Sequence, residues 1–364
     1  MYQHLLQIIS LINNNKIDLY KKMYLDLMKW MLSKYFEMEQ ENIMFSPLTL
    51  IDLLNRYYLV TNYDEQKRIK EFLVKDNDYK KLLNLHYDMK QILKTDSFLT
   101  NTSTWFIKND FIDKICMSDY VVSNNKEAIE RMNQWISQNT FHKAKDFIKE
   151  LDKNQIYSIL TTLSFKGEWN EMFEYVKEGE FYSTKGVSSV VMMNTKNCEY
   201  IKQGSLQGFK KIFAADEYGF VAIQSNSKNE KQLINEFIDC DINKLLSQKR
   251  NETVSVNFPA FKYQDKINVN DMLKQAGMKL CFESNIPIKV NVKQNSMIDV
   301  NDKGCLASMI MEASAIAASG NDIYLTFDSP FLYMIYHKHL MLPVLIGYVS
   351  NPIGYTIEDF NKDY

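Results

Sequence analysis

With 364 residues, 43 Lys plus Arg and 45 Asp plus Glu, the chain carries a formal net charge of −2, which supplies no overall field to draw it to nucleic acid or to an anionic membrane. Gly and Pro number only 11 and 6, and no Gly/Ser/Pro-rich linker, internal repeat or low-complexity tract divides the sequence, so it reads as one continuous domain with a sizeable core. The richness in Asn, Lys, Ile and Tyr reflects an AT-rich gene and carries no chemistry.

The first apolar stretch, residues 5–12, has no basic region before it and no small-residue cleavage site after it, so it predicts an amphipathic helix rather than a signal peptide. No apolar run reaches the length that spans a bilayer. The expectation is a soluble cytoplasmic protein, with secretion as the alternative. Helical spacing appears at Leu25, Met28, Leu32 and Tyr35, and again at Ile129, Met132 and Ile136. The period then shortens. Val254, Val256 and Phe258 alternate with Thr253, Ser255 and Asn257 ahead of Pro259, the pattern of a half-buried strand. Residues 331–336 and 344–349 are nearly unbroken apolar runs on either side of His337, Lys338 and His339, which predicts a buried strand pair joined by a polar turn. Helices early and strands late in an uncut chain give an α+β class.

Candidate chemistry is sparse. Cys116, Cys198, Cys240, Cys281 and Cys305 are dispersed without C-x-x-C spacing, which suits reduced thiols better than a disulfide framework or a zinc site. His4, His86, His142, His337 and His339 lie in no motif for a nucleophile or a hydrolytic metal, and G-x-S-x-G, H-E-x-x-H and Gly-rich phosphate loops are missing from the sequence. His337 and His339 are assigned to the hairpin turn rather than to a metal. The chain is therefore not expected to be an enzyme or to carry a cofactor. The sequons at Asn101 and Asn251 would be chance matches in a cytosolic protein.

Four segments in order carry a resemblance. They are residues 42–48, N-I-M-F-S-P-L; residues 165–169, F-K-G-E-W, followed by Phe173 and by Val191, Met192 and Met193; residues 300–304, V-N-D-K-G; and residues 329–331 continuing to 347–352, G-Y-V-S-N-P. Together they resemble the landmarks of the serpin family at the family's spacing, over residues 23–352. The resemblance implies a serpin domain with eight or nine helices and three β-sheets, an N-terminal extension over 1–22, a C-terminal tail over 353–364, and an exposed reactive-centre loop over about 304–329. Departures from the family pattern fall in the region that controls sheet opening, which the resemblance places at Ser46, Thr49, Thr161 and Gln294. Thr161 stands where many serpins carry a buried Asn, and Gln294 where many carry a His. The stretch between Phe282 and Gln294 is also shorter than usual.

In the family, a protease cleaves the loop, and its N-terminal portion then inserts as a new strand in the central sheet, carrying the acyl-enzyme with it. An inserted strand faces the core with every second residue, so those positions must be apolar and modest in size. Counted from the hinge, they are Cys305, Ala307, Met309, Met311, Ala313, Ala315 and Ala317, all apolar, and no proline lies between Gly304 and Ser329. The hinge itself would be Gly304, Cys305, Leu306, Ala307, Ser308, Met309 and Ile310. Leu306 and Ile310 on the outward face are bulkier than in serpins that inhibit well. The family's count places the reactive bond at Ala318–Ser319, with Ala317–Ala318 and Ile316–Ala317 as alternatives. A small residue before the cut suits a protease with a small apolar primary pocket, of the elastase type. Two functions stay open: a monomeric suicide-substrate inhibitor of a serine or cysteine endopeptidase, and a serpin-fold protein that binds a partner or serves as a decoy. The composition resembles that of intracellular poxvirus serpins, which implies a viral host-response role.

Overall fold

A computed structural model describes residues 16–74, 79–93, 99–108, 119–140, 142, 147–151, 157–214, 217–248, 253–280, 293–305 and 323–361. The apolar spacing of the first segment closes into helix α1 (Lys16–Glu37), whose Tyr20, Tyr24, Met28, Met31, Leu32 and Tyr35 form one buried stripe. A short strand β1 (Asn42–Phe45) leads to α2 (Pro47–Val60). Ser46 holds extended backbone before α2, and Pro47 supplies a helical φ where no N–H is required. Helices α3 (Tyr63–Leu73), α4 (Tyr79–Leu93) and α5 (Asn125–Gln138) follow, and Asn62 and Asn124 cap α3 and α5 by accepting backbone N–H bonds. The remaining helices are α6 (Glu230–Asp239), α7 (Ile242–Ser247), α8 (Asn270–Gln275) and α9 (Ile357–Asn361), which makes nine among the described residues.

The strands are β2 (Leu99–Lys108), β3 (Tyr120–Val122), β4 (Tyr157–Phe165), β5 (Gly167–Glu168), β6 (Tyr175–Ser183), β7 (Gly186–Gln203), β8 (Leu206–Ile212), β9 (Tyr218–Ser225), β10 (Thr253–Pro259), β11 (Phe261–Asn268), β12 (Lys293–Val300), β13 (Gly304–Cys305), β14 (Ile323–Thr326), β15 (Phe331–His337) and β16 (Leu342–Val349). They form three sheets, one ordered β3-β2-β4, one ordered β11-β12-β13-β5, and one ordered β1-β16-β15-β9-β8-β7-β10-β14 with β6 paired to β7. The architecture is α+β, as the change of period predicts.

Contacts divide the chain into two compact units, Met1–Tyr24 with Ser46–Phe165 and Ile267–Gln294, and Leu25–Phe45 with Lys166–Lys266 and Asn295–Tyr364. Each is assembled from separate stretches of sequence, so no single linker separates them. In the first unit α2 packs on β2 and β4. In the second, Phe258 of β10 lies at the centre of an aromatic core, with the rings of Phe209, Phe220, Phe261, Phe327 and Phe331 around it. Strand β10 is buried further than its alternation predicts. Ser255 is covered as well as Val254 and Val256. Among the described residues no helix is long and apolar enough to cross a membrane.

Candidate functional site at the loop hinge

Strand β12 ends in a tight turn over residues 301–304. The Asn301 side-chain oxygen accepts the backbone N–H groups of Lys303 and Gly304, each at 3.1 Å, and the Asn301 N–H donates to the Gly304 carbonyl at 3.0 Å. An Asn at the head of such a turn substitutes its side chain for a backbone acceptor. The chain is thereby reversed so that Cys305 stands opposite Val300 of β12. On its other side β13 pairs with β5, Gly304 opposite Glu168 and Cys305 opposite Gly167. The two backbones come so close that a Cβ on residue 304 would lie 2.4 Å from the Gly167 carbonyl oxygen, which only glycine avoids. Cys305 is buried, and that burial, with Asp299 adding to it, pushes its thiol pKa up, so it behaves as a small apolar side chain.

The turn is held from β5 and the residues after it. The Trp169 indole N–H donates to the Asn301 carbonyl at 2.9 Å and its backbone N–H donates to the Lys303 carbonyl at 3.1 Å, while the Phe173 N–H donates to the Asp302 carbonyl at 3.1 Å. Trp169 is fixed in turn by Phe213, stacked at 4.7 Å, and by the edges of Phe173 and Phe220. Beneath it lies the buried Lys211, whose Nζ donates to Thr195 Oγ1 at 3.1 Å and sits 4.8 Å from the Phe173 ring centre and 5.9 Å from that of Trp169. Burial lowers the Lys211 pKa, against the opposing pull of Cys198, Glu171 and Glu174.

Of the predicted hinge, Gly304 and Cys305 stand in this turn, whereas Leu306, Ala307, Ser308, Met309 and Ile310 lie outside the described residues, as do Ile316, Ala317, Ala318 and Ser319. Parts of the expected loop at 304–329 are among the described residues. Gly304 and Cys305 are already in a strand, Ile323–Thr326 pairs in parallel with β10, and Ser329 is buried. Of the sheet-opening set, Ser46 and Thr49 are brought together at the start of α2, where Thr49 Oγ1 donates to the Ser46 carbonyl at 2.8 Å. Thr161 is half-buried on β4 opposite Ser103, and Gln294 lies in β12. His337 departs from its expected place in a polar turn. It is the last residue of β15, 1% exposed, and its Nδ1 accepts the Leu340 N–H, so it caps the hairpin from inside. Cys198, Cys240 and Cys305 are free and buried, and among the described residues no group of His, Cys, Asp and Glu could hold a metal ion.

Sequence reasoning missed the roles of Asn301 and Lys211. Asn301 had a readable signal, since N-D-K-G is a turn sequence. Lys211 had none, because its partners Thr195, Trp169 and Phe173 meet it only in the fold.

A family model described as serpin (serine protease inhibitor) matches residues 19–352. The chain is similar to alpha-1-antitrypsin 1-2 of Mus musculus, 22% identical over 351 residues and covering 85% of this chain and 83% of that protein. It is also similar to Iripin-1 of Ixodes ricinus, 23% identical over 338 residues and covering 81% and 85%. Among solved structures, the native thermophilic serpin tengpin superposes with a TM-score of 0.75 at 22% identity, covering 93% of this chain and 94% of that one. Human thyroxine-binding globulin superposes with 0.74 at 15% identity, covering 92% and 100%.

Proposed function

The chain belongs to the serpin family, and on that premise we propose that it inhibits a serine or cysteine endopeptidase as a suicide substrate. The protease nucleophile attacks the carbonyl carbon of Ala318, the Ala318–Ser319 bond breaks, Ser319 leaves with its new amino group, and residues 305–317 insert as a strand before water can release the acyl-enzyme. The supporting observation is the position of Cys305. It already pairs with Val300, and its side chain is buried. A strand continuing from it would bury Ala307, Met309, Met311, Ala313, Ala315 and Ala317 on the same side. Among the described residues, strand β12 has β11 on one side and, on the other, β13 opposite Val300, so that side is where such a strand would add its bonds. Each bond is worth about 1 kcal/mol net.

Incubation with an elastase-type protease should give a complex that survives SDS, with mass spectrometry placing the cut after Ala318. Cleavage that leaves free, active protease would sink the inhibitory reading. A second reading, a partner-binding serpin without inhibition, is favoured by Leu306 and Ile310, whose bulk on the outward face slows insertion and lets hydrolysis win. Residues 23–352 are the serpin domain in this proposal, acting as a monomer. Its free buried thiols suit a cytoplasmic site, and its Asn-, Lys-, Ile- and Tyr-rich composition suits a poxvirus-type modulator of the host response.

A further inference from the structure

Residues 353–361 lie beyond the family match, yet they return to the hinge. Ile353 accepts the Lys262 N–H at 2.9 Å, and Gly354 follows at φ +104, pressed so close to Lys262 that an added Cβ would meet its carbonyl oxygen at 2.5 Å. Tyr355 then lies under Lys262, whose Nζ is 4.4 Å from the ring centre, and packs on Phe360 at 5.1 Å. Thr356 donates both its N–H and its hydroxyl to Asp359, starting α9, which packs on β6.

This arrangement puts the Tyr355 hydroxyl between two residues that build the hinge. It donates to Asp299 Oδ1 and accepts from Asn301 Nδ2 at 3.3 Å, while Asn301 Nδ2 also reaches Asp299 Oδ1 at 3.3 Å. The Asn301 amide is thus fixed with its nitrogen toward Tyr355 and Asp299 and its oxygen toward the N–H groups of Lys303 and Gly304. Turned over, the amide would present hydrogens to those N–H groups, and the turn that lays Cys305 against Val300 would lose its acceptor.

We propose that residues 353–361 are an intramolecular latch on the loop hinge, with Tyr355 the positioning residue that holds Cys305 in β13. The latch sets how much of the loop stays paired before any protease arrives, and so governs the proposed inhibition; in that respect it rests on the reading of 304–310 as the hinge. Its test requires no protease. In the full-length chain, Tyr355→Phe removes both the hydrogen bond donated to Asp299 and the one accepted from Asn301, and it should speed alkylation of Cys305 by iodoacetamide about tenfold, with the rate at each cysteine resolved by mass spectrometry. A chain ending at Gly354 should show the same acceleration, and the buried Cys198 and Cys240 should label at unchanged rates in both. An unchanged Cys305 rate overturns the latch, as does an equal acceleration at Cys198, Cys240 and Cys305, which would make the tail a general stabiliser. A variant series in which Cys305 responds while the wild-type protein inhibits no protease keeps the latch and removes the inhibitory reading.

Discussion

At residue 304 a methyl group would meet the backbone of β5 from two directions, 2.4 Å from the Gly167 oxygen and 2.9 Å from the Glu168 Cα. Backbone cannot turn aside as a side chain can, so Gly304→Ala forces β13 off β5 and should cost about 1–3 kcal/mol, measurable by urea unfolding. An unchanged midpoint would mean that the hinge is not held in the strand. Asp52 poses a different residue-scale question. It is buried, with Oδ1 at 3.0 Å from His86 Nε2 and Oδ2 accepting from Lys90 Nζ at 2.6 Å, while the Tyr20 hydroxyl lies 2.8 Å from His86 Nδ1. One carboxylate thereby ties α2 to α4, and α1 joins through the imidazole. Burial pushes the Asp52 carboxyl up, but the hydrogen bonds and charges of His86 and Lys90 together outweigh it and leave its pKa below the ordinary value. A carboxyl held down in the folded state contributes stability above its unfolded pKa and loses that contribution as pH falls through the folded one. Unfolding in urea should therefore become easier below about pH 4. Asp52→Asn leaves the neighbouring cation without its counter-charge and should cost about 3 kcal/mol at neutral pH, while flattening the acid limb. A variant that keeps the wild-type acid slope would show that the loss arises elsewhere.

Among the elements, the proposed mechanism puts its strongest demand on the first half of the loop. In an inserted strand Leu306 and Ile310 would fall on the outward face, so substituting both with smaller residues, Leu306→Thr and Ile310→Ala, should speed strand formation relative to deacylation. The stoichiometry of inhibition should then fall toward one molecule per protease, whereas a stoichiometry that does not move would place the slow step outside the hinge. How much of this was legible beforehand depends on the range of the interactions. The start of α2 is written locally in Ser46 and Pro47, and β15 and β16 in their apolar runs, so both follow from sequence. The burial of His337 was not visible, because a polar triplet between strands reads as a turn until the neighbouring strands cover it. The pairing of Gly304 with Glu168 joins residues far apart in the chain, and nothing in the local spacing of 300–304 announces it. The family landmark there suggests a hinge, but the strand contact and the proposed Tyr355 latch both needed the fold.

For the molecule as a whole, the proposed mechanism requires that the uncleaved chain is not the most stable arrangement of its own sequence. The apolar inward set and the proline-free run from Gly304 to Ser329 would let a cleaved loop add about a dozen strand hydrogen bonds, roughly 10 kcal/mol at about 1 kcal/mol each. Spread over the unfolding entropy of a chain larger than ordinary single domains, that gain corresponds to a rise in Tm of about 10–20 °C. Calorimetry before and after cutting in the loop measures it directly, and the cut need not be made by the target protease. Ala313→Pro provides the internal control. It removes one N–H from the middle of the proposed strand and sets a ring where the ladder must close, so the cleaved variant should gain much less than the cleaved wild type while the two intact proteins melt together. If the wild-type transition does not move on cleavage, the strand stays out of the sheet. The chain then works by binding, and the early pairing of Cys305 is a feature of the fold without a mechanical role.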